Sequence, residues 1–437
     1  MSHQPTRRDV LKTSAFAALS AGVLTTASAK KSRPSPNDRI RFAMIGVGGR
    51  GGAHLGPAAE HGDIVALCDI DAETRSKAML EHPDAATFSD FRKMLDTMEH
   101  GIDAVVVATP DHTHAPAAAM ALHMGKHVYC EKPLTRSIYE ARTLSGLAKT
   151  ARTMTQMGNQ GTSSDDLRKV AALLRAGKLG AVKEVHCWTN RAGGWWPQGV
   201  DRPAGGTPIP HTVDWDLWLG PAPRRDYAEG YHPFAWRGWW DFGSGALGDI
   251  GCHCMNLPFM AFDLRDPIAV TAETSGHNKD SFPNWSVIKY EFAARGTRPA
   301  VNLMWYDGGK LPPQDLAPKE KYEANGCLIV CEKGTLHMPH EYGGGGHLIS
   351  GEPLPEVDFI KSPGHFAEWA QAIRGGPVPR GNLPGYACAL TEVVLLGNLA
   401  VWANGPRVTW DAATMRAHGA DDLERIIHPE YRRGWTL

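Results

Sequence analysis

Hydrophobic positions along this chain follow two regimes. In the first third, short apolar runs alternate with segments of helical periodicity. Residues 40–45 ("IRFAMI") and 102–110 ("IDAVVVATP") read as buried strands, as do "DIVALCD" (63–69) and 127–130. Between them, residues 51–62, 72–83, 90–98 and the segment opening at Asp111 read as helices. This alternation predicts a parallel sheet covered on both faces. After residue 158 the alternation stops. Residues 163–180 read as a helix, and then strand candidates follow without intervening helices: 182–190, 268–275, 285–294, 300–306 and 327–338. Such a succession predicts a mixed or antiparallel sheet. Residues 365–376 and 389–405 read as amphipathic helices that hold the parts together, with His365 structural. The fold class is therefore α/β, with a doubly wound domain over 38–158 and an α+β domain over 159–437.

The first strand runs into Gly46-Val-Gly48-Gly49-Arg-Gly51, a GxGxxG pattern, and a helix follows. The next strand ends at Asp69, eighteen residues after Gly51. Strand, glycine loop, helix, strand and acid together form the Rossmann dinucleotide fingerprint. The glycines let backbone N–H groups approach a pyrophosphate at a helix N-terminus. Asp69 is placed to accept hydrogen bonds from the adenosine ribose. A carboxylate there repels a 2′-phosphate, which favours NAD over NADP.

Further on, the strand 127–130 delivers Glu131-Lys132-Pro133 at its carboxyl end, where open parallel sheets bind ligands. Lys132 is expected on the nicotinamide side, and Pro133 fixes the turn. His112 and His114 stand two apart at a helix start. They diverge by about 200° on a helix, so capping or cofactor-pocket packing is preferred to a shared metal. With "ATP…H" (Thr109, Pro110, His114) and then "EKP", the chain resembles the Gfo/Idh/MocA oxidoreductases, the family of glucose–fructose oxidoreductase and inositol dehydrogenase. The resemblance covers roughly residues 38–437. It implies a large open sheet in the second half, one face of which packs on another subunit in a homo-oligomer. It also implies a cofactor side formed by Thr109, Pro110, His114, Glu131, Lys132 and Asn159.

The stretch "GALGDIGCHCMN" (245–256) carries apolar residues at helical spacing. On a helix Asp249 and His253 are i and i+4 and share a face. Cys252 and Cys254 then lie about 100° to either side and cannot converge with His253 on one ion. No metal site is assigned. The family's Lys…Asp-x-x-x-His constellation maps onto Lys132, Asp249 and His253. It implies a base that takes a hydroxyl proton while hydride leaves the same carbon. The family often has Asp three residues after the histidine, where this chain has Asn256.

Eight of the fourteen tryptophans fall between residues 188 and 240. Trp215 and Trp218 read as packing. Aromatic faces beside Arg and Asn also make carbohydrate sites. Arg191, Trp195, Trp196, Arg237 and Trp240 form the candidate pool, and Tyr306 and Lys310, around a glycine-bearing loop, are expected to reach the same cleft.

Composition narrows the partners. The formal net charge is −1 and no long basic run appears, which disfavours nucleic acid. No uninterrupted apolar run of about 18 residues argues for a membrane span. "TRRDVLK", a mild apolar stretch and "ASA" at 27–29 resemble a twin-arginine (Tat) export peptide over residues 1–29. Its removal leaves a net charge of −3. That resemblance implies folding around a cofactor before export by the Tat machinery to the periplasm. The eight cysteines include no CxxC pair and read as buried thiols. The leading expectation is an exported NAD-dependent oxidoreductase acting on a secondary hydroxyl of a sugar, glycoside or cyclitol. Since the periplasm offers no ready pool of soluble NAD, the cofactor would be resident. The alternative is a redox-neutral glycosidase, lyase or epimerase that works by transient oxidation of the ring.

Overall fold

In the computed structural model, which describes residues 39–191 and 194–437, β1 (Ile40–Ile45) lies inside a six-stranded parallel sheet. Its order is β3-β2-β1-β4-β5-β6, with β2 (Gly62–Cys68), β3 (Ala86–Phe88), β4 (Ala104–Val107), β5 (His127–Glu131) and β6 (Thr155–Gly158). Strand order reverses between β1 and β4, so the loops after these two strands flank a crevice. The sheet is covered on both faces because successive side chains of a strand point opposite ways. Phe42 and Met44 pack with Leu55 and Ala58 of α1 (Gly49–His61). Ala43 and Ile45 pack with alanines of α4 (Asp111–His123). Two further helices, α2 (Ala72–Glu81) and α3 (Phe91–Thr97), cross between the early strands. The twin-arginine segment lies outside the described residues.

After α5 (Ile138–Ala151), β6 and α6 (Asp165–Arg175), the chain builds a nine-stranded sheet. It runs β13-β12-β11-β7-β10-β9-β8-β14-β15. The central strands are β7 (Val182–Thr189), β10 (Val301–Tyr306), β9 (Ser286–Phe292), β8 (Ala269–Thr274) and β11 (Asn325–Cys331). The sheet is mixed, since β7 and β10 are parallel while the other pairs are antiparallel. The expected strand 327–338 is a hairpin of β11 and β12 (Gly334–Met338). The short β13 (His347–Leu348) follows, and β14 (Val408–Asp411) and β15 (Arg416–His418) close the other edge.

One face of this sheet shares a hydrophobic core with the parallel sheet. Cys187, Leu303, Trp305, Ile288 and Tyr290 point into it. There they meet α8 (Gly245–Cys254), α9 (Asn256–Phe262) and α11 (Cys388–Ala403). The 21 residues Leu383–Ala403 are long and apolar enough to cross a membrane, yet 89% of their apolar window is buried among these elements. The alternate side chains of the same strands, Trp188, Tyr306 and Leu328, form a separate cluster on the far face. The helix α10 (His365–Ile373) sends Phe366 and Trp369 back to Phe42 and Tyr129 of the parallel sheet. All eight cysteines are buried and free. A smaller aromatic core forms around Trp215 and Trp218 of α7 (Trp215–Leu219), with Tyr227, Tyr231, Trp239 and Phe242.

Candidate active site

The loops at the carboxyl ends of β1, β2, β4 and β5 set one side of the site. A Cβ on Gly46, whose φ is +78°, would lie 2.6 Å from the Ala108 carbonyl oxygen. The loops after β1 and β4 therefore touch at backbone distance, which only glycine permits. At Gly51 a Cβ would meet the Gly46 oxygen at 1.9 Å, so α1 packs directly on the loop that precedes it. Gly48 caps α1 without a side-chain bond, and Gly49 opens the helix, which leaves its first turn available to an anion.

The Asp69 carboxylate accepts the amides of Val47 (2.9 Å) and Asp71 (3.0 Å). Burial raises its pKa, and the two amides pull it back. A carboxylate offers about four lone-pair sites, so Asp69 holds the glycine loop and keeps capacity for ribose hydroxyls. Capless helix start, close-approach glycines and part-used acid together fit a bound dinucleotide. A cavity of about 840 Å³ lies beyond β2, lined by Ile70, Arg75, His211 and Trp215 among others. It shares no lining residue with the Lys132–Asp249–His253 cluster described below.

Three of the expected cofactor residues are engaged by the protein itself. His114 does not present a free ring nitrogen. Its Nε2 lies 2.8 Å from the Thr109 oxygen and its Nδ1 2.9 Å from the Pro133 oxygen. It thereby ties the Thr109–Pro110 loop to the Lys132–Pro133 turn, whose peptide bond is cis. The Glu131 carboxylate is likewise consumed, by His54 (2.7 Å), Gln160 (3.1 Å) and Arg50 (3.2 Å). Burial opposes its charge, but His54, Arg50 and Lys132 outweigh it and bring its pKa down to about 2. Its effect is to fix the end of β5 against α1. Asn159 donates from Nδ2 to the Cys252 carbonyl (2.6 Å), and its buried Oδ1 has no partner among the described residues. His112 is held by the Phe242 and Trp218 carbonyls, as a packing residue would be.

The residues 245–256 do form a helix as far as Cys254, and Asp249 meets Lys132 across the domain junction. Lys132 Nζ donates to the Asp249 carbonyl (2.7 Å) and to its Oδ1 (3.0 Å). Arg191 Nε approaches Oδ2 at 3.2 Å, and Arg237 Nε approaches Oδ1 at 3.4 Å. Burial alone would push Asp249 up; Lys132, Arg237 and Arg191 hold it well below the usual carboxylate range. Arg237 also pairs with the buried Asp111 at 3.2 Å. The local charge is thus three cations against two carboxylates.

His253 is 1% exposed, and neither ring nitrogen has a partner among the described residues. Burial first, and then the Lys132 ammonium, lower its pKa to about 3. The ring is a neutral, desolvated acceptor, packed 4.7 Å from Tyr342. Only the unfolded chain protonates this histidine between about pH 6.5 and pH 3, so its contribution to stability is complete above that window and lost on acidification. Replacing His253 by Leu is expected to flatten unfolding free energy against pH between 6 and 4 by up to about 1.4 kcal/mol per pH unit. Urea midpoints at several pH values measure this, and equal slopes in the two proteins would contradict it.

The aromatic pool divides. The Arg191 guanidinium lies over the exposed Trp195 ring at 3.5 Å, beside Asp249. Trp196 is buried, 5.9 Å from Arg237. Trp240 is not a cleft residue: it stacks on Phe282 at 3.8 Å and abuts Trp402 in the core. Nor is Tyr306, which points to the far face of the mixed sheet and bonds His186 (3.1 Å). Lys310 sits over Trp285. Asn256 does not face the site either; it is buried between Tyr386 and Thr162. Sequence reasoning missed Asp111, Arg50, His54 and Tyr342. Asp111 sits between the quoted "ATP" and His112, and its acidity at a helix start was the available signal.

Comparison with known proteins agrees with this architecture. Residues 40–159 match the Gfo/Idh/MocA model described as oxidoreductase family, NAD-binding Rossmann fold. Residues 166–300 match that family's C-terminal alpha/beta domain. The chain is 26% identical over 387 residues to the uncharacterized oxidoreductase YdgJ of Escherichia coli, covering 85% of this chain and 99% of that protein. It is 33% identical over 192 residues to a glycosyl hydrolase family 109 protein of Solibacter usitatus, covering 40% of this chain and 44% of that protein. Over 163 residues it is 30% identical to an inositol 2-dehydrogenase of Rubrobacter xylanophilus, covering 36% of this chain and 45% of that protein. The match thus spans less than half of the last two. Among solved structures, the WlbA dehydrogenase of Chromobactrium violaceum, in complex with NADH and UDP-GlcNAcA, superposes with a TM-score of 0.61. It covers 87% of this chain and 98% of that one at 17% identity, a likeness of fold.

Proposed function

The chain belongs to the Gfo/Idh/MocA family of NAD-binding oxidoreductases, and from that membership we propose that it oxidises a secondary hydroxyl of a sugar, glycoside or cyclitol. The observation that carries this reading is the pairing of Lys132 with Asp249 near the buried His253, whose ring nitrogens have no partner among the described residues. NAD, when bound, supplies the acceptor for the carbinol hydride. The glycine loop and Asp69 would hold it, with the Thr109–Pro110 loop and the Lys132 turn on its nicotinamide side.

The rest of the chemistry belongs to the chain. The substrate hydroxyl loses its proton to His253 Nδ1 or Nε2 as the C–H bond gives up its electron pair and the carbon becomes a carbonyl. The Lys132 ammonium stabilises the oxygen as negative charge develops on it. Asp249 orients Lys132. Arg191 and Trp195 are placed to bind ring hydroxyls and an apolar ring face. We extend the proposal to a tightly held NAD carried outward by the twin-arginine route, with NAD preferred over NADP because of Asp69.

A second reading is favoured by the glycosyl hydrolase family 109 relative. Transient oxidation acidifies the neighbouring C–H, a base takes that proton as elimination expels the aglycone, water adds across the resulting double bond, and the hydride returns to the carbonyl carbon. The test is a single-turnover assay of full-length mature protein against sugars, cyclitols and aryl glycosides. Absorbance at 340 nm and release of the aglycone are followed together. Stable reduced cofactor with intact glycoside supports the dehydrogenase. Aglycone release without net reduction supports the second reading. Turnover that is unchanged in a His253→Ala variant would overturn both.

A further inference from the structure

At one edge of the mixed sheet, His337 of β12 and His347 of β13 are paired directly across the ladder. Glu320, from the segment before β11, reaches both. Its Oε2 lies 2.8 Å from His337 Nδ1 and 3.1 Å from His347 Nε2. The three candidate ligand atoms lie within 4.8 Å of one another.

Hydrogen-bond chemistry calls for a positive charge among them. His347 Nδ1 lies 2.9 Å from the Gly345 carbonyl oxygen. A carbonyl only accepts, so that nitrogen carries the hydrogen. In the neutral ring, Nε2 is then a lone pair aimed at a carboxylate oxygen, which is itself only an acceptor. His337 is 1% exposed, aims Nδ1 at the same oxygen and leaves Nε2 without a partner among the described residues. A ring whose second nitrogen donates to a backbone carbonyl is the outer-sphere arrangement of metal-ligating histidines. Tetrahedral zinc at roughly 2.0–2.2 Å from N and O ligands sets those ligands about 3.3–3.6 Å apart, slightly farther than the 2.8 and 3.1 Å that separate the Glu320 oxygen from the two ring nitrogens. Glu320 and His347 are part-exposed, so an ion can enter from solvent.

We propose that Glu320, His337 and His347 bind one zinc-class divalent cation, with solvent completing the coordination. The site has a structural consequence. His337 and His347 stand at the two feet of the loop 339–346, whose Tyr342 packs on His253. Residues 343–346 of that loop are four consecutive glycines. An ion bridging its feet restrains a segment that its own sequence leaves free, and so fixes Tyr342 against the candidate base.

Untagged, metal-stripped mature protein is titrated with Co2+, read by its visible absorption, and then with competing Zn2+. One Co2+ per chain, displaced by Zn2+, is the expected result. His347→Gln and Glu320→Gln lie at part-exposed positions and keep the buried His337. Each is expected to weaken binding by more than the roughly 10- to 100-fold that loss of an outer-sphere partner costs. Zn2+ is also expected to slow hydrogen exchange across 339–346 in the wild type alone. Stoichiometric Co2+ binding that persists unchanged in both variants would place the ion elsewhere and overturn the assignment. So would failure to bind Co2+. Neither readout depends on redox activity.

Discussion

Lys132→Met is expected to lower kcat/KM by about 10²- to 10³-fold while the affinity for NAD changes little. Lys132 follows β5 between Glu131, held by His54, and Pro133, held by His114, and its ammonium donates to Asp249. Methionine keeps the length and bulk of the stem and removes the ammonium. The developing oxyanion then loses its charge partner, and Asp249 loses its nearest donor. The same substitution removes the largest charged influence that holds His253 down, so the imidazole should titrate at higher pH. Steady-state kinetics, NAD titration and histidine NMR separate these effects. Wild-type turnover, or an unmoved His253 titration, would remove Lys132 from the proposed mechanism.

Asp249→Ala should be the most destabilising single change in the site, by about 3–5 kcal/mol. Three cations, Lys132, Arg191 and Arg237, share this carboxylate in a partly buried setting. Among the described residues only Arg237 has a second acid, Asp111. Without Asp249 the remaining charges repel each other with little water to screen them. Added acetate or formate should recover part of the loss in the variant and leave the wild type unmoved. Denaturant unfolding with and without formate measures this. A variant as stable as the wild type would mean that the cations are hydrated rather than balanced by Asp249.

The features legible in the sequence were local. The run from Ile40 through Gly51 to Asp69 encodes strand, turn, helix and strand within thirty residues, and each step has a steric reason. The i, i+4 relation of Asp249 and His253 followed from one helix and its period. Residues joined by distant segments were not legible. Arg237 meets Asp111 across 126 positions and His54 meets Glu131 across 77, and no periodicity reports such pairings. Residue type also misled. Trp240 has the composition of a sugar platform and the surroundings of a core residue. Tyr306 could have been placed by parity, because it shares a face with the exposed Asn302 and with Met304, opposite Leu303 and Trp305. The amphipathic pattern of residues 365–373 announced a helix but not its return to the parallel sheet. The Glu320, His337 and His347 cluster depends on strand pairing between positions ten apart, so it has no sequence signature.

The central claim is that this chain works through a dinucleotide held in the crevice between β1 and β4. The most direct measurement is made on the protein purified without added cofactor. The protein is denatured, and the released nucleotide is identified by chromatography and by absorbance at 340 nm. The account predicts close to one NAD or NADH per chain. A protein that releases no nucleotide and fails to bind added NAD would contradict it.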